Sequence, residues 1–211
     1  MCWLLVCGLL VASCTTAITV PDTVFPTPLI DPIPAKVALV YGEEFRNYEK
    51  LGPILRDSAG RDISQGMKIR HELGNNNVSL FNQLSATVFE RSQSFSSWDA
   101  LENAGEEFDA ILEPTVDRFE SWRGDDGSFR SPGAFLHLTY RVRMYRHQRN
   151  EIMDWPLATH QVFCKDVTFC GMSNLGDMVE AGLRDIAAQF YAKFPELPEV
   201  VAWMETLKAD R

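Results

Sequence analysis

Apolar and polar positions alternate strictly from Leu136 to Tyr145, with Leu136, Leu138, Tyr140, Val142 and Met144 on one side and His137, Thr139, Arg141, Arg143 and Tyr145 on the other. Successive side chains of a strand point to opposite faces, so this period of two marks a half-buried β-strand. A turn at His147 to Asn150 returns the chain through Ile152 to Phe163, and Ala110 to Glu120 precedes the pair, which reads as an antiparallel meander. Pro114 lacks an N–H and marks an edge or a bulge. Pro156 bends the returning strand. Earlier, Val37 to Tyr41 after Lys36 is a continuous apolar run ended by Gly42, the pattern of a buried strand, and Lys68 to Leu73 is a further strand.

Helical spacing appears twice at length. Val78, Phe81, Leu84, Val88 and Phe89 share one face of a helix from Asn77 to Arg91, with the asparagines at 75–77 as its cap. Met178, Val179, Leu183, Ile186, Ala187, Phe190, Tyr191 and Phe194 form a broad apolar face from Asp177 to Phe194, stopped by Pro195. Ser97 and Trp98 open a short helix through Asn103 that ends at Gly105, and Glu199 to Lys208 is a last short one presenting Val200, Trp203, Met204 and Leu207. The segment from Glu43 to Met67, with Gly52, Pro53, Gly60 and Gly66, reads as a long loop holding a hairpin or a turn of helix. These elements make an α+β domain over residues 36–211: one antiparallel sheet, two main helices packed on one face, and a short C-terminal helix.

The N-terminus is organised differently. Cys2 to Ala12 is apolar for about eleven residues where a membrane-crossing helix needs about twenty, and it ends in Val11, Ala12, Ser13 and Cys14. These four residues resemble the lipobox of bacterial lipoproteins, in which small residues precede a cysteine that receives a diacylglycerol. The resemblance implies a signal peptide over residues 1–13, lipidation of Cys14 with acyl chains such as palmitate, and attachment to the periplasmic face of the outer membrane, Thr15 rather than Asp following the cysteine. Residues 14–35 then carry five prolines, at Pro21, Pro26, Pro28, Pro32 and Pro34. They read either as a stiff extended tether or, because Val20, Val24, Phe25, Leu29 and Ile30 are apolar, as a strap laid along the domain. Lipobox, linker and the order of elements together resemble small periplasmic lipoprotein domains of the YajG and LpoB kind. That likeness is one of layout, and it implies an accessory role in the cell envelope.

Charge narrows the partners. Twenty Lys and Arg against 29 Asp and Glu give a net charge of −9, and no run of four basic residues occurs, which excludes nucleic acid as the expected partner. His71, His137, His147 and His160 are scattered with no HExxH spacing, so no metal and no cofactor are expected. His71 beside Glu72 reads as an exposed strand pair, and His137 as facing solvent or making a cross-strand contact with Thr or Tyr. Gly124, Asp125, Asp126 and Gly127 form a solvated turn rather than a calcium loop. His160 and Cys164, four apart on a strand, stand about 13 Å apart, too far for a catalytic pair.

Cys164 and Cys170 are the even pair left once the leader and the lipid account for Cys2, Cys7 and Cys14, which points to a disulfide in an oxidising compartment. Two free buried cysteines are the other reading. Among the tryptophans, Trp122 next to Arg123 and a Gly-rich loop is the candidate surface contact; Trp98, Trp155 and Trp203 read as core. No catalytic residues stand out. The expected function is a membrane-anchored periplasmic binding or scaffolding lipoprotein with an envelope protein as partner; the alternative is an auxiliary subunit that presents lipid to an envelope transporter through an apolar groove.

Overall fold

Strand β2 (Ile33–Val40) is buried on both faces, and the rest of the fold follows from that. The computed structural model describes residues 15–19, 24–25, 28–57, 59–124, 133–146, 149–163 and 173–209. Val37 and Leu39 face the main core, whereas Ala38 and Val40 pack with Phe95, Leu101 and Ile111 on the other side. β2 lies parallel to both of its neighbours, β6 (Phe89–Phe95) and β7 (Ala110–Gly124). β7, β8 (Gly133–Tyr145) and β9 (Glu151–Phe163) form the antiparallel meander. With β4 (Leu55–Arg56) beside the far end of β7, the order is β6-β2-β7-β8-β9 in a six-stranded sheet.

The sheet is therefore mixed and not purely antiparallel as the sequence pattern suggests. The reason is connectivity. Helix α2 (Gly74–Val88) separates β2 from β6, and α3 (Trp98–Ala104) separates β6 from β7; a helical crossover returns the chain to the same end of the sheet and makes parallel neighbours. Parallel strands are covered on both faces, which is why β2 reads as an unbroken apolar run. Pro114 fits its place. β2 pairs with β7 only as far as Leu112 and β4 only from Arg123, so the missing N–H falls between the two neighbours, and the register slips one residue later on, between Val116 and Arg118.

The segment from Glu43 to Met67 holds more structure than its composition suggests: α1 (Glu43–Arg46), β3 (Glu49–Pro53) and β4. β3 pairs antiparallel with β5 (Lys68–Glu72), and β1 (Thr15–Thr19) pairs parallel on the other side of β5, giving a second, three-stranded sheet.

Helices α2 and α4 (Ser173–Lys193) lie together on the inner face of the large sheet, and α3 covers the opposite face of β2 and β6. Ring contacts fill the layer between them: Phe81 meets Tyr140 at 5.3 Å and Phe190 at 6.2 Å, edge to face, while Phe190 stacks on Phe194 at 4.7 Å. Full burial of one such side chain contributes about 1.5–3 kcal/mol. Gly182 lets α4 approach β8, because a Cβ there would overlap the side chain of Leu136. After a 3-10 turn at Phe194–Glu196, α5 (Pro198–Ala209) closes the core with Trp203, whose indole N–H donates to the Asp109 carbonyl at 3.3 Å.

The start of one helix differs from the sequence pattern and that of another follows it. α2 begins at Gly74, behind Leu73, with no side-chain cap; Asn77 is buried instead, accepting from the Tyr140 hydroxyl at 2.6 Å and donating to the Phe45 carbonyl at 3.4 Å. α3, by contrast, is capped as its sequence implies. Ser97 accepts from the Ala100 N–H at 3.1 Å, and Gly105 ends the helix at a φ of 64°, in the left-handed region glycine tolerates.

Of the two readings of residues 15–35, the described ones follow the strap. Phe25 is 4% exposed and its N–H donates to Gln83 of α2 at 3.1 Å. Ile30 packs against the core, and Ile33 and Ala35 lie within it.

Candidate binding surfaces

Because the strap crosses the outside of the helical layer, it leaves an apolar groove beside α4. Pro28 and Ile30 form one wall; Ala187, Ala188, Tyr191 and Ala192 form the other, with Arg184 at one end, around a volume of about 420 Å³. A second hollow of about 430 Å³ shares Ile30, Tyr191 and Ala192 and continues past Ile33 and Val88 to Pro195. Small side chains on α4 create the space, since alanine has no bulk with which to fill it. Arg184 is tied to Glu180 one turn earlier at 2.8 Å. Val24 and Leu29 of the strap point into solvent, 80% and 106% exposed.

A second surface is the open face of the meander. In one row across it stand Glu120 of β7, His137 of β8 and His160 of β9. The two imidazoles are 4.1 Å apart between ring centres. Burial, then the neighbouring His160 and Arg118, hold His137 below its usual pKa range. Further along, Arg141 bridges Asp117 at 2.7 Å and Asp154 at 3.0 Å. This face is polar and ion-paired, which is what lets an antiparallel sheet meet water on one side.

A third polar group is internal. His71 of β5 is 1% exposed and shares a 2.7 Å hydrogen bond with Ser121 of β7, its ring 4.9 Å from that of Phe119. Burial lowers its pKa to about 4, so the imidazole is neutral. A serine–histidine pair has the makings of a nucleophile and base. Here both side chains are enclosed between the two sheets, and the contact joins them structurally.

The residues singled out in the sequence are distributed as follows. Trp122 is buried, 7% exposed, and not a surface contact: the register sets it opposite Phe135, on which it stacks at 5.4 Å, and Arg56 of β4 lies over its ring at 4.9 Å. Arg123 is half-buried, with Nε and Nη2 enclosed and unpartnered among the described residues, and burial lowers its pKa. His71 is interior, not exposed, because the small sheet folds its β5 onto β7. His137 makes its cross-strand contact with His160 and not with Thr or Tyr, because the β8–β9 register sets the two histidines opposite each other. Cys14, Cys164 and Cys170 lie outside the described residues, as do Asp125, Asp126 and Gly127.

The groove was signalled only indirectly, by apolar residues between the prolines of 15–35 and by Ala187, Ala188 and Ala192 on a helix otherwise rich in large apolar side chains. Among the described residues, no cluster of three or more His, Cys, Asp or Glu is placed to hold a metal ion, and no helix is long and apolar enough to cross a membrane.

No protein-family profile and no curated protein matches the chain. Solved structures do. The protein XCC0632 from Xanthomonas campestris, of the DUF330 family, aligns over 93% of this chain and 100% of its own at 10% identity, with a TM-score of 0.51. A minor lipoprotein from Acinetobacter baumannii aligns over 76% of this chain and 90% of its own at 15% identity, with a TM-score of 0.37. The first match establishes a shared fold.

Proposed function

We propose that this chain is a lipid-anchored protein of the bacterial envelope, held on the periplasmic face of the outer membrane through Cys14, whose domain binds and positions another envelope protein. The observation that carries this reading is the joining of a lipobox-like Val11–Cys14 to a domain whose helix–sheet interior is filled by aromatic side chains. A packed interior leaves recognition to the outside, and the strap offers Val24 and Leu29 there, beside the groove. The fold shared with XCC0632 is compatible with this role and does not specify it.

The groove itself favours a second reading, lipid presentation. The part beside Ala187, Ala188 and Tyr191 is apolar and carries a cation, Arg184, at one end, a pairing suited to an acyl chain with an anionic head, while its continuation is lined by Asp31 and Glu196 as well. One experiment separates the two. Photo-crosslinking residues placed at Val24, Leu29 and, as control, Glu205 of the lipidated protein in intact cells should give one protein adduct from the strap positions and none from Glu205. If the strap gives only phospholipid adducts, and Arg184→Glu removes them, lipid presentation replaces scaffolding. Adducts of equal yield at all three positions would overturn both.

A further inference from the structure

We propose that the three-stranded sheet is a membrane-docking surface which seats the domain on anionic phospholipid beside its own anchor. The proposal rests on Cys14 being lipidated. Thr15, the next residue, is already in β1 and in register with Lys68 of β5. Adjacent Cα atoms are about 3.8 Å apart, so a lipid carried by the residue before Thr15 would join the chain directly at β1, with no free linker between lipid and fold. A Pro-rich tether of residues 15–35 would have held the domain several nanometres away; strand pairing at 15–19 and the burial of Phe25 remove that slack.

What lies around that point suits a bilayer surface. Ile63, Met67 and Leu51 are 49%, 42% and 51% exposed, which makes three of the six large apolar side chains most open to water among the described residues belong to this one small region. Met67 immediately precedes Lys68, the register partner of Thr15. Leu51 pairs with Arg70 on the exposed face of the sheet that also carries Thr15 and Ala17. From Glu49 to Glu72, the start of β3 to the end of β5, the chain has five cations and four anions, close to balance in a protein of net charge −9. The cations Arg61, Lys68 and Arg70 are paired with Asp57, Asp62 and Glu49 at the surface, and Lys50 is exposed.

Basic side chains interleaved with apolar ones are the composition that binds at the lipid headgroup boundary. The acidic remainder orients the domain by repulsion, turning its far end away. That end is α5: Arg146, at the opposite end of β8 from Gly133, donates to Thr206, whereas the β3–β4 segment meets β7 at Arg123.

An environment-sensitive fluorescent amino acid at Ile63, Met67 or Glu205 reads this directly. The lipidated full chain is reconstituted in vesicles of phosphatidylethanolamine with phosphatidylglycerol, and acylation is checked by intact mass. Quenching by aqueous iodide should be about threefold weaker at Ile63 and Met67 than at Glu205, and brominated lipid should quench only the first two. Raising salt, or charge reversal with Lys50→Glu and Lys68→Glu, should shrink the difference. The pair Ile63→Glu and Met67→Glu, both at exposed positions and so compatible with folding, should restore iodide quenching of a probe at Leu51. Equal quenching at all three positions in acylated protein overturns docking and leaves the anchor intact. Lack of acyl mass overturns the anchor itself. Shielding of Glu205 as well overturns the proposed orientation.

Discussion

The six-stranded sheet sets Leu136, Leu138, Tyr140, Val142 and Met144 against Phe81, Phe190 and Phe194, whereas the three-stranded sheet meets the body of the protein through Ile69 and the imidazole of His71, with Ile54 buried just past β3. The first contact is broad, apolar and indifferent to direction. The second is narrow and depends on a neutral ring sharing one hydrogen bond. Acid acts on an imidazole and not on a phenyl ring, so the two sheets should part company as pH falls.

The largest effect should come from the broad contact. Trp203→Ala removes a side chain 1% exposed and should cost about 3–5 kcal/mol, read from chemical unfolding, by the same amount near neutrality and in mild acid. A loss that changes strongly with pH would show that the two regions are not separable. Next comes His71. An unfolded imidazole titrates near 6.5 and the buried one at about 4, so between those values the unfolded chain binds more protons. Stability is full above about pH 6.5 and falls toward pH 4, by about 3 kcal/mol in all. Amide exchange in β3 and β5 should rise first while β8 stays protected, and His71→Leu should flatten the slope. A slope unchanged by that substitution would assign the acid response elsewhere.

Phe25→Ala should cost about 2 kcal/mol, the burial of one phenyl side chain, and should free the strap without exposing β8, as limited proteolysis would report. The smallest effect belongs to the open face. Arg141→Met breaks its ion pairs with Asp117 and Asp154 at a partly exposed site and should change stability by less than about 1 kcal/mol.

The meander and the two long helices were legible because their periodicity is local and strong. β6 was not: Glu90, Arg91, Ser92, Gln93 and Ser94 carry no apolar alternation, since an edge strand whose side chains are mostly exposed needs none, and it emerges from α2 with no turn signal between them. Parallel pairing of β2 escaped for a different reason. Strand direction is set by what the crossovers do in space, and period and composition are blind to it. The burial of Trp122 is not visible in sequence because its cover, Phe135 and Arg56, comes from the register of β8 and from β4, neither of which a neighbouring glycine-rich loop reveals. The strap was half visible, in apolar residues that a solvated linker would not need.

One edge of the large sheet is guarded. On β9, Pro156 withholds an N–H and Gln189 of α4 reaches across to the Ala158 carbonyl at 3.0 Å, so the row of groups that could recruit a stranger's strand is interrupted.

β2 bears on how quickly this chain can find its fold. Its partners arrive late: Ile33 to Val40 must wait for Phe89 to Phe95 and then for Ala110 to Leu112, each brought back only after long loops have closed. Contacts of such sequence separation slow the search, and until they form, the run from Val37 to Tyr41 is a bare apolar strand made before its partners. Until β6 and β7 arrive to cover it, that run is where the unfinished chain is most exposed to association with another.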